Sequence, residues 1–402
     1  MATARKILFI DLFTYYGYGT TLVKKIARSF EAIGYVPVIL DVESPNAMQV
    51  LRNCIQEREN FLFSFSMGWG ISTASKIEGR YIHEWMDIPH FACFADHPLY
   101  KHSFIDFTSK NVVYGFTDKT HPMFCEQFYG KGNYTFFAHF SLVDPDQPVT
   151  EEEFSRRNKS LFFSGSATIM DRTWATNLSS PSQNKAVSIL EEEGVEIINL
   201  IDQFISSDDD SLDLELIKLL RTHPTFMALN ANQIAKIFIE VDLVIRSLKR
   251  RRLLGALNGV PLTVIGRGWE QCDYLDMRNT CVLSEARYLD CEQSRNKYQI
   301  SLNIPHGQPQ ALHDRILHAS CQGQVVITNN NDFVRKSFDS GNLVFYSIEE
   351  NNIQDRVEKI LSDDHLRFKM AHAGQNYMKK GLHSSDQAAE CVLQQLKEHK
   401  LI

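Results

Sequence analysis

Two runs of alternating strand and helix signals, separated by one polar break, constrain this chain of 402 residues more than any other feature. In the first run, Lys6 to Phe13 is a short apolar stretch of buried-strand type. Thr20 to Ile33 then sets Leu22, Val23, Ile26, Ala27, Phe30 and Ile33 at helical spacing, and Gly34 closes the helix. Val36 to Val42 reads as a strand and Ala47 to Glu57 as a helix. Phe61 to Ser66, Phe91 to Ala95, Val112 to Phe116 and Tyr134 to Ala138 read as further strands. Between Ser141 and Asn158 the pattern breaks: Asp144-Pro145-Asp146-Gln147-Pro148 is turn chemistry and Glu151 to Arg157 is a charged, linker-like stretch. Alternation restarts with a strand at Ser160 to Ser164, a helix at Gln183 to Glu193 and a long helix from Asn232 to Asn258. Strands at Pro261 to Gly266, Gln299 to Asn303 and Gln324 to Thr328 follow.

Such alternation makes parallel strands joined by right-handed crossovers. The expected fold is α/β, with two Rossmann-like domains facing across a cleft. They would span 1–145 and 159–380, and a last helix within 381–402 could cross back to the first. Ligands of open α/β sheets sit outside the carboxyl ends of the strands, so such a cleft suits an enzyme that joins two substrates.

Composition excludes several classes. The chain is 44% hydrophobic and 23% charged, so it can bury sizeable cores. No run approaches the roughly 20 apolar residues of a membrane span. Ile7 to Ile10 stops at Asp11, too short for a signal peptide, so a cytoplasmic location is expected, with at most peripheral membrane contact. The net charge of −7 disfavours sequence-independent nucleic-acid binding. Eight scattered cysteines without C-x-x-C read as reduced thiols.

The chemistry concentrates after the strand that ends at Leu302-Asn303. A loop with Pro305, His306 and Gly307 leads into a helix carrying Arg315 and His318 three apart, on one face. A helix N-terminus favours an anion such as a pyrophosphate, and Arg315 adds a fork of donors. An ordinary loop–helix–strand unit with Arg315 in a structural ion pair fits the same spacing.

This stretch resembles the donor-binding segment of GT-B glycosyltransferases, in particular the spore-maturation CgeB-like branch of the group 1 enzymes. That branch has a strand ending in Leu-Asn, a loop, then Arg-x-Phe-Glu-Ala-x-Ala-x-Gly. Leu302-Asn303, Arg315, Ala319, Cys321 and Gly323 stand at matching places. His318 takes the place of the family's Glu, which accepts hydrogen bonds from the donor ribose. Leu161 to Ser166 followed by Arg172 resembles the first strand and loop of the C-terminal GT-B domain, and Pro261 to Trp269 the strand ending in Gly-x-Gly-Trp. The likeness covers about 160–380. It implies a GT-B enzyme that moves a sugar from a nucleotide-sugar to an acceptor hydroxyl or other nucleophile on a glycan, lipid or protein. Gly165, Ser166, Arg172, His306, Gly307 and Arg315 would meet the diphosphate, Gly266, Arg267 and Tyr288 the nucleoside, and His318 the ribose. The nucleotide-sugar would be substrate, with no cofactor and no metal. A nucleotide-sugar epimerase and a non-catalytic binding scaffold of the same fold are the alternatives.

In the first half, Gly17-Tyr18-Gly19 makes a turn that serves the backbone or approaches a phosphate or sugar. Asp96 and His97, at a strand's carboxyl end, would be a general base or merely a turn cap and a surface residue, and His139 is a weaker candidate of the same kind. Asp208-Asp209-Asp210 contains a D-x-D but lies in a polar loop, and reads as a solvated loop or a helix cap. Lys249 to Arg252 reads as a solvated helix face, or one that meets a lipid headgroup or sugar phosphate.

Overall fold

The computed structural model describes residues 5–12, 17–144, 147–167, 199–208, 212–222, 229–305, 307–381 and 383–402. The helix expected at Gln183 to Glu193, together with Arg172 and His306, lies outside them. Twelve strands form two sheets in the described residues, and every strand pairing is parallel. The first holds β1 (Lys6–Asp11), β2 (Val36–Asp41), β3 (Phe61–Met67), β4 (His90–Phe94), β5 (Val112–Phe116) and β6 (Asn133–Phe136), in the order β2-β1-β3-β4-β5-β6. The second holds β7 (Asn158–Ser164), β8 (Leu262–Ile265), β9 (Thr280–Leu283), β10 (Tyr298–Leu302), β11 (Val325–Asn329) and β12 (Leu343–Tyr346), in the order β12-β11-β10-β7-β8-β9. The strand order reverses between β1 and β3 in one sheet and between β7 and β10 in the other. Those reversals are where crossovers on opposite faces leave a crevice.

Strands β4, β5, β10 and β11 are buried along their whole length, as strands covered on both faces must be. The Tyr18–Ala32 helix packs Leu22, Val23, Ile26, Ala27 and Phe30 against Ile7 and Phe9 of β1. It ends in a glycine-terminated turn: Gly34 has φ +92°, and the Tyr35 amide reaches back to the Phe30 carbonyl at 3.0 Å. The charged stretch expected as linker contains a helix, Glu151–Arg156. Its Thr-x-x-Glu start is a capping box, with the Glu153 amide on Thr150 Oγ1 at 3.2 Å and the Thr150 amide on Glu153 Oε2 at 2.9 Å.

Two helices tie the sheets together. Ala231–Gly255, about 37 Å long at 1.5 Å per residue, serves both cores. Phe238, Val241 and Ile245 pack with Phe94, Phe116 and Phe124 of the first unit, whereas Leu253 and Leu254 pack with Leu161 and Phe163 of the second. The Ser385–Glu398 helix lies on the first unit, where Ala389, Val392 and Leu396 join the core of Phe9 and Phe30. All eight cysteines are free thiols. No helix of the described residues is long and apolar enough to cross a membrane.

A buried imidazole pair sits under the first sheet. The His83 and His90 rings stack at 5.0 Å, and His90 lies between Ser64 Oγ at 2.8 Å and Ser66 Oγ at 2.9 Å. Burial pushes His83 down to about 4, and neither of its nitrogens has a hydrogen-bond partner among the described residues. Below pH 6.5 the unfolded His83 takes up a proton that the folded one refuses until about pH 4. Stability is therefore lost as pH falls through that window, by roughly 3 kcal/mol from this residue at 1.36 kcal/mol per pKa unit. Urea titrations at pH 7 and pH 4.5 are expected to show a lower midpoint at the acid pH, and His83→Phe to reduce the difference.

Candidate functional site

Three donors hold the loop after β7 by its carbonyls. Arg315 Nη1 donates to Ser164 O at 3.3 Å, Trp269 Nε1 to Gly165 O at 2.7 Å, and Arg250 Nη1 to Ser166 O. A third guanidinium, of buried Arg295, donates to Ser164 Oγ at 2.7 Å and to Ser301 Oγ of β10 at 2.8 Å, so it braces the strand reversal. With its carbonyls turned to these donors, the loop presents the Ser166 amide, which has no partner among the described residues. Gly266, at the end of β8, crosses directly over this loop. Its φ is +140°, and a Cβ there would lie 2.3 Å from Gly165 O.

The crowding of cations shows in their acidity. Burial first, and then the Arg246 and Arg315 charges, lower Arg250 to about 9. Burial lowers Arg315 to about 10 against the pull of Asp314. An anion placed among these groups would relieve both effects. Glu292 supplies only local relief. Burial would raise its carboxyl, but Arg295, at 3.0 Å, holds it down at about 2.

A cavity of about 250 Å³ opens beside this loop, lined by Ser164, Gly165, Ser166, Gly266, Tyr288 and Arg315 among others. A second cavity, of about 420 Å³, opens at the carboxyl ends of β3 and β4, beside Trp69, Ala95, Asp96, Lys101 and His139. Tyr18, His313 and Asp314 line both. Tyr18 reaches over from the first unit and meets Tyr288 edge to face, with ring centroids 5.2 Å apart. His313 caps the Asp314–Cys321 helix. Its Nδ1 lies 2.6 Å from Asp314 Oδ1, and its Nε2 lies 2.9 Å from Arg315 Nη2. Burial, then the Arg315 charge, pushes His313 down to about 4. Burial acts to raise the Asp314 carboxyl, but the neighbouring imidazoles outweigh it and hold it well below the usual range.

The structure brings Gly165, Ser166, Gly266, Tyr288 and Arg315 to one cavity and joins Tyr18 to them. Gly17, with φ +76°, makes the turn, and Gly19 is buried in the helix behind it. Arg267 stands at the rim, about half exposed and paired with Glu285 of the cavity wall. Gly307 lies away from this cavity, against Asp242, because its loop crosses to the first unit. Gln308 Nε2 reaches Ala95 O at 2.7 Å, and the Gln310 amide reaches Asp118 Oδ2 at 2.8 Å. Asp96 is exposed at the rim of the second cavity, 3.3 Å from Lys101 Nζ.

Four expectations are corrected. His97 does not face the cleft. Its ring is buried against Phe124 and Phe238, at 4.6 and 4.4 Å, and its Nδ1 takes the Leu99 amide. Of the two first-unit histidines, His139 is the one that lines the cavity. His318 is fully buried beneath the donor-side wall and accepts the Leu142 amide at 3.1 Å, so it holds the interdomain segment rather than facing a ribose. Lys249 to Arg252 is not one solvated face: Lys249 and Arg250 are buried, and Arg250 grips the loop after β7. Gly307 leaves the donor-side cavity, as described above. Among the described residues Asp208 caps no helix but fastens the loop after β12, accepting the Ile348 amide at 2.7 Å and the Ser347 hydroxyl at 2.6 Å, and Asp209 and Asp210 lie outside the described residues. Glu292 and Arg295 were missed, although their spacing of three within a helix was a readable signal of an ion pair.

A family model described as glycosyl transferase-like matches residues 246–394, the stretch from the arginine-bearing helix to the last helix. No curated protein matches the chain. Among solved structures, T4 phage β-glucosyltransferase superposes with a TM-score of 0.54 at 8% identity, over 97% of this chain and 99% of that one. A glycosyltransferase from Rickettsia africae ESF-5 superposes with a TM-score of 0.50 at 9% identity, over 99% of both chains. The architecture is GT-B. Its two Rossmann-like units meet with the strand ends inward, and the two cavities lie at that meeting.

Proposed function

We propose that this GT-B chain moves a sugar from a nucleotide-sugar to an acceptor hydroxyl or other nucleophile, and that within that class it stands nearest the CgeB-like branch. One observation carries the reading. A cavity at the β7/β10 reversal, with Arg295 and Arg315 in its wall, and a second cavity at the opposing strand ends share the same three side chains, Tyr18, His313 and Asp314. The diphosphate would sit against the Ser166 amide, the start of the Asp314–Cys321 helix and Arg315. Tyr288 would flank the nucleoside, and the acceptor would enter beside Trp69 and Asp96. The β-glucosyltransferase of the same fold has uridine diphosphoglucose as substrate, which supports a nucleoside diphosphate here.

A panel of nucleoside diphosphates tests the reading. One of them, at about a hundredfold excess over its Kd, is expected to stabilise the protein by about 2.7 kcal/mol in a thermal-shift assay. No shift with any of them would count against it. Because guanidinium groups and a helix N-terminus supply the positive charge, transfer is expected to persist in EDTA. The T4 phage enzyme has been seen with UDP and Mn²⁺, so loss of transfer in EDTA with rescue by Mn²⁺ would show the opposite for this chain.

A further inference from the structure

We propose that a cavity on the seam between the two units is a second binding site, for a sugar phosphate, and that its occupancy tightens the hold on a nucleotide in the cleft. The cavity measures about 430 Å³ and shares no lining residue with the two cleft cavities. The first unit contributes Lys25 and Arg28, the segment leaving it Ser141 and Asp144, and the segment returning to it Lys379 and Ser384. Arg28 and Lys379 have no acidic or hydrogen-bonding partner for their side chains among the described residues, whereas Lys25 is held by Asp144. Two uncompensated cations suit a phosphate, and the Arg28 fork can grip two of its oxygens at once. The wall also holds Asp386, a carboxylate that would repel a bare phosphate but accepts hydrogen bonds from sugar hydroxyls. Ser384 Oγ accepts the Gln387 amide at 3.3 Å and Ser385 Oγ accepts from Ser29 at 2.7 Å, so each keeps its own hydroxyl hydrogen to donate. Among the described residues, no phenyl, phenol or indole ring lines the cavity, so nothing there stacks a nucleobase. The His383 ring does line it, but packs with Phe338 and Tyr377, at 5.6 and 6.3 Å.

Two helices connect this cavity to the cleft. The Tyr18–Ala32 helix begins with Tyr18 in both cleft cavities and carries Lys25 and Arg28 about two and three turns further along. The Asp314–Cys321 helix begins with Asp314 and Arg315 at the donor-side cavity and ends, about two turns on, with Cys321 in the seam wall. The wall is drawn from both units, so its fit to a ligand depends on how the units sit. In the arrangement described here the seam cavity and the donor-side cavity are both formed. A ligand in either one therefore favours the state that the other needs, and the effect is reciprocal. This coupling rests on the reading of the cleft as a nucleotide site, whereas the seam site itself does not.

Isothermal titration with mannose 6-phosphate as the probe tests the site. Wild type and Arg315→Ala are expected to bind it within about twofold of each other, and the Arg28→Ala/Lys379→Ala double variant at least about tenfold more weakly. Both replaced side chains are exposed, so the double variant is expected to keep the wild-type urea midpoint. No binding to wild type, or binding lost in Arg315→Ala and kept in the double variant, would overturn the site. Equal affinity for inorganic phosphate would overturn the sugar-phosphate class. A nucleoside diphosphate is then titrated with mannose 6-phosphate saturating. Its Kd is expected to fall about fivefold or more in wild type and to stay unchanged in the double variant. An unchanged Kd in wild type would overturn the coupling. A protein that binds mannose 6-phosphate through Arg28 and Lys379 but takes no nucleoside diphosphate would instead overturn the sugar-transfer reading and leave the seam site standing.

Discussion

Arg315→Ala is expected to lower kcat for sugar transfer by roughly a hundredfold, about 2.7 kcal/mol of transition-state stabilisation. The side chain does three things at once. It donates to Ser164 O, it lies over the Phe163 ring at 5.6 Å, and it faces the cavity where a diphosphate would depart. The negative charge on that leaving group grows as the glycosidic bond breaks, so a fixed cation there acts more strongly on the transition state than on the bound donor. The loss should accordingly fall on kcat more than on KM. Arg315→Lys is expected to recover only part of it, because an ammonium lacks the planar fork that spans Ser164 O and a phosphate. The fold should persist, since Arg250, Arg295 and Trp269 still hold the loop. Initial-rate kinetics with near-normal kcat in Arg315→Ala would count against the placement of the diphosphate.

Gly266→Val is expected to abolish nucleotide binding and to cost on the order of 3 kcal/mol of stability, the upper range for overpacking. The reason is the crossing of two backbones. A Cβ at Gly266 would meet Gly165 O at 2.3 Å and Gly165 C at 2.7 Å. A backbone atom cannot swing aside as a flexible side chain can, so the loop after β7 must move and carry the Ser166 amide with it. Gly266→Ala should show the same defects in smaller measure. Isothermal titration with a nucleoside diphosphate and urea denaturation read the two effects separately. Wild-type affinity in Gly266→Val would contradict a ligand seated on this loop.

The two-sheet plan was legible because each buried strand is a short apolar run with a glycine or polar residue after it. Val36, Phe61 and Val112 all begin strands where the pattern put them. Gly165 and Gly266 could be read as site residues because they sit next to strand ends, whose carboxyl ends face the crevice whatever the rest does, and Arg315 because it opens the helix that follows such a strand. Side-chain direction beyond that point was not legible. Asp96 and His97 are adjacent in sequence, yet one lies at the cavity rim and the other is packed on Phe238, which is 141 positions further along the chain. The basic run from Lys249 to Arg252 had the same ambiguity. Four consecutive helical residues point about 100° apart, so the sequence cannot say which one turns inward, and tertiary packing chose Lys249 and Arg250. His318 was matched to a ribose-binding position by its place in a motif. The segment at Leu142 covers that position here and takes the imidazole for its own amide. The long helix was legible from Asn232 to Asn258, but its division between two cores was not, because its apolar face runs without interruption from Ile234 to Leu254.

A crystal structure of the protein with a nucleoside diphosphate tests the central claim most directly. The phosphates are expected within hydrogen-bonding distance of the Ser166 amide and the Arg315 guanidinium. A nucleotide bound elsewhere, for instance in the separate cavity lined by Lys25, Arg28 and Lys379, would contradict it.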